Sequence, residues 1–151
     1  MNKRFFKKVP QVIYTIGSLA ALAAINYSII QSPMVFIFIL VLLAHELGHY
    51  FVARKNKAQA YLPYFLPLPF IAIGITKVKG LTLRGKKQVA LAGPFVGSLT
   101  ALLLIILNSI FTFTSYVPLL ILFFGEIIFN YFGSDGKQYR KVNRSLRLCT
   151  S

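Results

Sequence analysis

Residues 34–57 read MVFIFILVLLAHELGHYFVARKNK. Residues 34–53 of this stretch are apolar for about 20 positions, enough for a helix to cross a hydrocarbon core of roughly 30 Å. Within it stands Ala44-His45-Glu46-Leu47-Gly48-His49. An ionisable side chain at the centre of such a helix costs about 2.5–3.5 kcal/mol or more, so it is kept where it is paired or bound. A hydrogen-bonded polar cluster inside a helix bundle is the plain explanation. Against it, these are the only two histidines of the chain, and Glu46 is one of only three acids, with Glu126 and Asp135.

Outward from this stretch, the chain alternates apolar runs with basic clusters. Apolar runs occupy 11–30, 34–53, 89–110 and 117–132, and 17 Lys and Arg fall between and around them. A hydrophobic fraction of 56% with a mean hydropathy of +0.67 excludes an ordinary soluble domain. The net charge of +14 invites nucleic-acid binding. Such proteins carry a basic face on a soluble core, however, and this pattern instead predicts a membrane protein with no nucleic-acid partner. With four passes and a cytoplasmic N-terminus, every basic residue falls on the cytoplasmic side. The outer turns near 31–33 and 111–116 are then uncharged, as the positive-inside rule requires. Small residues in the first run also resemble a signal-peptide cleavage region, but the run is long for one, and a retained helix is expected. The basic tail, 137–151, is expected to lie against anionic headgroups. Its one cysteine, Cys149, is expected to be incidental.

The stretch 61–76 is apolar yet holds Pro63, Pro67 and Pro69 within seven residues, followed by Gly74. Prolines at that density obstruct a helix. A re-entrant or interfacial segment on the cytoplasmic side is therefore predicted, buried in protein or lining a cavity. In the third run Gly93 and Gly97 form a GxxxG step around Pro94, read as close helix packing without chemistry of its own. The fold class that follows is an all-α polytopic membrane protein with about four transmembrane helices and one proline-rich re-entrant segment, all in a single domain over 1–151.

Histidines four apart share a helix face and reach one metal ion. Glu46, beside the first of them, is placed to take a proton from a water at that ion. A catalytic zinc takes three protein ligands and keeps a position open, so a third ligand is needed. Glu126 and Asp135 are the remaining acids. At 1.5 Å per residue, the depth of the histidines corresponds to roughly residues 128–132 of the fourth run, which falls between the two. Helix ends are uncertain by about as much, so depth alone leaves the choice open.

The residues together resemble the site-2 protease family of intramembrane zinc metalloproteases. His45-Glu46-Leu47-Gly48-His49 is similar to its HExGH helix. Leu62-Pro63-Tyr64-Phe65-Leu66-Pro67 with Ile73-Gly74 resembles its proline-rich membrane segment, and Ala92-Gly93-Pro94 its AGP motif. Asn130 with Asp135-Gly136 resembles its second motif, although Gly133 stands where a proline is usual and Gly97 where an asparagine is frequent. The resemblance implies Zn2+ held by His45, His49 and Asp135, with Glu46 as catalytic base and Asn130 near the substrate. Glu126, four residues before Asn130, is expected to support the site by bonding to it. It further implies a zinc metalloendopeptidase of a minimal, single-module type, without PDZ or CBS modules, that cuts transmembrane segments of membrane-protein substrates. Residues 61–76 would then offer an edge for unwound substrate. The expected location is a bacterial inner membrane with both termini cytoplasmic. The alternative function is a catalytically inactive relative that binds a membrane partner.

Overall fold

The computed structural model describes residues 8–68, 71–112, 114–132 and 134–148. Helix α1 (Lys8–Ile30) and helix α2 (Met34–Lys55) are joined by a short uncharged turn. Gln31 takes a left-handed φ of 50° there, and its N–H donates to Tyr27 O at 2.8 Å. Arg54 and Lys55 close α2, where cations oppose the negative end of the helix dipole. Two nested strand pairs follow. The outer pair is β1 (Gln59–Ala60) with β4 (Val78–Lys79), and the inner hairpin is β2 (Tyr64–Leu68) with β3 (Ile71–Ile75).

Helix α3 (Leu83–Phe111) starts at Thr82, whose Oγ1 accepts from Gly85 N–H at 3.1 Å. It ends at Thr112 in a left-handed conformation, with Thr112 N–H bonded to Asn108 O. Helix α4 (Tyr116–Phe132) leads into helix α5 (Ser134–Leu148). α3 is the axis of the assembly: α2 packs along it, and α4 and α5 also lie against it. α1 lies chiefly against β2.

The hairpin is held by polar residues of α1. Thr15 Oγ1 donates to Pro63 O at 2.6 Å, Phe65 N–H donates to Ser18 Oγ at 3.1 Å, and Asn26 Nδ2 donates to Leu68 O at 3.2 Å. Thr15, Ser18, Leu22 and Asn26 recur at helical spacing, so one face of α1 carries all these contacts. Because the Phe65 N–H points at α1, strand alternation puts the imino nitrogen of Pro67 on that same outer side. Its missing N–H therefore breaks no bond to β3. Leu22, Val35, Ile39 and Phe65 form an apolar cluster joining α1, α2 and the hairpin. Ala53, Ala58 and Val89 form another at the basic end of α2.

Among the described residues three helices, Pro10–Ile30, Met34–Lys55 and Leu83–Phe111, are long and apolar enough to cross a membrane. Large apolar side chains on their outer faces are open, Phe95 at 70%, Ile110 at 67% and Phe111 at 69%. Lipid is the solvent that suits such a surface.

The architecture departs from the sequence expectation in four respects. Its elements are mostly helical, as expected of an all-α membrane protein, but the proline-rich stretch adds an antiparallel hairpin inside a second strand pair. Two strands satisfy each other's backbone where three prolines forbid a helix. Only three of the four expected passes reach full spanning length; α4 has 17 residues, about 26 Å. The third helix begins at Leu83 instead of residue 89, since hydropathy registers only its apolar part and misses the capped, charged first turn. The basic tail is helical to Leu148, with Asp135 in the first turn of α5, where a carboxylate favours the helix start.

Candidate metal centre

His45 and His49 lie one turn apart on the face of α2 that meets α3, and both are buried. Each ring is fixed by its Nδ1. His45 Nδ1 lies 2.8 Å from Glu126 Oε2, and His49 Nδ1 lies 2.7 Å from Val89 O. A carboxylate and a carbonyl only accept, so in both rings Nδ1–H donates, and Nε2 is the atom left for a proton or a metal bond.

The two Nε2 atoms are 3.2 Å apart. Asp135 Oδ2 stands 3.2 Å from His49 Nε2 and 3.4 Å from His45 Nε2. Three acceptor atoms facing one another at such range repel unless a cation or protons lie between them. Four ligands arranged tetrahedrally at about 2.0–2.1 Å from an ion are about 3.3–3.4 Å apart. The observed triangle matches the face of that tetrahedron. His45, His49 and Asp135 thus form a group that could hold a metal ion. For the Asp135 carboxyl, burial acts to raise its pKa. The hydrogen bonds and charges of the two imidazoles outweigh that and hold it below its ordinary range, in the deprotonated form that a cation needs.

The remaining two acids complete the surroundings. Glu126, read from sequence as a support for Asn130 or a competing ligand, lies through Oε2 against the ring nitrogen of His45 that faces away from the triangle. This carboxylate–imidazole arrangement orients a metal-binding histidine and raises its basicity. The side chain of Asn130 lies outside the described residues. Glu46 Oε2 accepts from Thr76 Oγ1 at 2.7 Å, just past the end of β3, and the Glu46 side chain runs directly against Gly74. Every acid and histidine of the chain is therefore placed in or beside one centre.

Glycines let the elements close on it. A Cβ on Gly93 would fall onto His49 Nε2 and 2.7 Å from His45 Nε2, and one on Gly97 would meet Glu126 Oε2 at 2.7 Å. The GxxxG step, expected to serve packing alone, instead makes room for the imidazoles and for the carboxylate behind them. Thr76 and Gly74 were the residues that sequence reading missed. Thr76 had no signal, being one hydroxyl among several, whereas Gly74 was noticed within the proline-rich segment but not as room for the Glu46 side chain.

A cavity of about 1060 Å³ adjoins the centre, walled by Val52, Ala92, Pro94, Phe95, Ile127 and Asp135. Its surface is mainly apolar, with Lys55, Asn56, Gln88 and Arg140 among the polar groups that line it. Compared with known proteins, the chain matches no family model, no curated protein and no solved structure.

Replacement of Glu126 by Gln keeps the shape of the side chain but removes the charge behind His45. Metal affinity is expected to fall about 10–100-fold, read by competition with a chromophoric chelator. An unchanged affinity would remove Glu126 from the centre.

Proposed function

We propose that the chain is an intramembrane zinc metalloprotease similar to the site-2 proteases, hydrolysing peptide bonds in or near transmembrane segments of membrane-protein substrates from the cytoplasmic side. The observation that carries this reading is the triangle of His45 Nε2, His49 Nε2 and Asp135 Oδ2 beside a buried Glu46 that is not part of it. Imidazole nitrogens with one carboxylate suit zinc, and three protein ligands leave a position for chemistry. Zinc, when bound, would polarise the scissile carbonyl and make water acidic near neutral pH.

The chain's own residues supply the rest. Glu46 removes the proton from the attacking water and returns it to the leaving nitrogen. Thr76 holds one Glu46 oxygen, leaving the other carboxylate oxygen for that proton. Glu126 and Val89 O fix the imidazoles before substrate arrives. A helical substrate bonds its own backbone and must unwind before a carbonyl is open to attack. β2 has its outer side against α1, and among the described residues no backbone hydrogen bond reaches β3 from any element but β2. β3 is therefore the edge offered to an unwound segment by strand addition. The apolar cavity next to Asp135 suits side chains taken from lipid.

The test is cleavage of a tagged membrane substrate in detergent or lipid discs, by the wild type beside Glu46→Gln. Cleavage by the wild type alone supports protease action. Absence of cleavage by the wild type against a broad set of single-span substrates, with metal bound, would favour an inactive, partner-binding relative.

A further inference from the structure

Asp135 is delivered to the centre by α5, a helix whose other residues are mostly polar or cationic. Its inner face holds Asp135, Tyr139, Val142 and Asn143, spaced as one stripe of a helix. Val142 is buried, Lys87 Nζ of α3 donates to Asn143 Oδ1 at 3.0 Å, and the same ammonium lies 5.1 Å over the ring of Tyr139. The outer face carries Lys137, Lys141 and Arg144 at i, i+4 and i+7, all exposed.

Docking α5 in this way gathers like charges. Arg54 and Lys55 end α2, and Arg84, Lys86 and Lys87 begin α3, at the end of the molecule where α5 rests. Asp135 is the one carboxylate on these segments, and it is committed to the histidines. The docked arrangement is thus opposed by cation–cation repulsion, which anions on the outer face would relieve. The collar begins where the apolar surfaces of α2 and α3 stop, which is the level of headgroups on a bilayer.

We propose that anionic lipid headgroups bind the Lys137–Lys141–Arg144 face of α5 and, by holding this helix docked, tighten the metal centre. The proposal rests on the reading of His45, His49 and Asp135 as ligands. Because two of the ligands lie on α2 and one on α5, any agent that favours the docked helix must raise metal affinity, and metal must in turn raise affinity for that agent.

The test uses the full chain in discs of phosphatidylcholine alone or mixed with phosphatidylglycerol. Two quantities are read: amide exchange of α5 without metal, and Zn2+ affinity by chelator competition. Phosphatidylglycerol is expected to slow exchange in α5 and to tighten Zn2+ binding about tenfold. The triple variant Lys137→Gln, Lys141→Gln, Arg144→Gln should lose both gains while binding Zn2+ in phosphatidylcholine at least as well as the wild type. A gain kept by the variant would be cation enrichment at an anionic surface, and would overturn the proposal. So would equal exchange and equal affinity in the two lipids. Protection produced in phosphatidylcholine by free sulfate or by a polyglutamate peptide would assign the face to a soluble anion or an acidic segment instead. Lipid-dependent exchange without Zn2+ binding in any disc would overturn the metal-centre reading and the coupling with it, and leave only the lipid contact.

Discussion

Glu46→Gln is expected to lower the rate of peptide hydrolysis by about 10²–10⁴-fold or more, while metal content stays at the wild-type level. The size follows from the contribution of a positioned general base. The retained metal follows from geometry, because Glu46 is not in the triangle formed by His45, His49 and Asp135. The glutamine is isosteric, and its carbonyl oxygen can still accept from Thr76 Oγ1, so the side chain keeps its place against Gly74. Only the capacity to accept a proton is removed. A rate measured with a tagged transmembrane substrate, together with metal analysis of the same sample, separates the outcomes. Cleavage at the wild-type rate would remove Glu46 as base, and loss of metal would make it a ligand instead.

Gly93→Ala is expected to reduce metal affinity at least about a hundredfold in a protein that remains folded. The added Cβ would clash with His49 Nε2 and approach His45 Nε2 to 2.7 Å. α2 and α3 are pressed together at the neighbouring residues as well, where a Cβ on Gly48 would lie 2.6 Å from Ala92 O, so the interface has no spare room for the methyl. The imidazoles must move, and metal ligands tolerate displacements of only about 0.2 Å. Gly17→Ala on α1, with nothing within 4 Å of its added Cβ, is the matched control and should bind metal normally. Chelator competition measures both, with circular dichroism confirming helix content. Normal affinity in Gly93→Ala would mean that the helices have slack, and the steric description of the centre would be wrong.

What was legible in the sequence was what depends on neighbours along one helix. His45, Glu46 and His49 declare themselves because four-residue spacing is local and ionisable groups are costly in an apolar run. The residues beyond α2 were legible only as a bracket. Depth arithmetic fell between Glu126 and Asp135, and the structure brings both to His45, on opposite ring nitrogens. A one-dimensional depth cannot tell the side of a ring. The hairpin was hidden for a different reason. Both faces of 64–75 are apolar, so no alternation marks strands, and prolines read as irregularity until α1 is present to take the side of β2 that Pro67 faces. Thr15, Ser18 and Asn26 looked like the small polar residues of any first span. Their partners are 42–48 residues away, and only the folded chain brings them together. The early start of α3 was available from Thr82, a good capping residue, but a hydropathy reading does not weigh caps.

The proposed centre holds one zinc ion between two histidines of α2 and the first-turn carboxylate of α5. The most direct measurement is the metal content of the detergent-purified chain beside Asp135→Ala, by elemental analysis after exposure to Zn2+ and removal of the excess. One zinc per chain is expected in the wild type, and its loss in Asp135→Ala. A folded wild type without zinc would contradict the proposal, and zinc retained in Asp135→Ala would move the third ligand from Asp135 to Glu126.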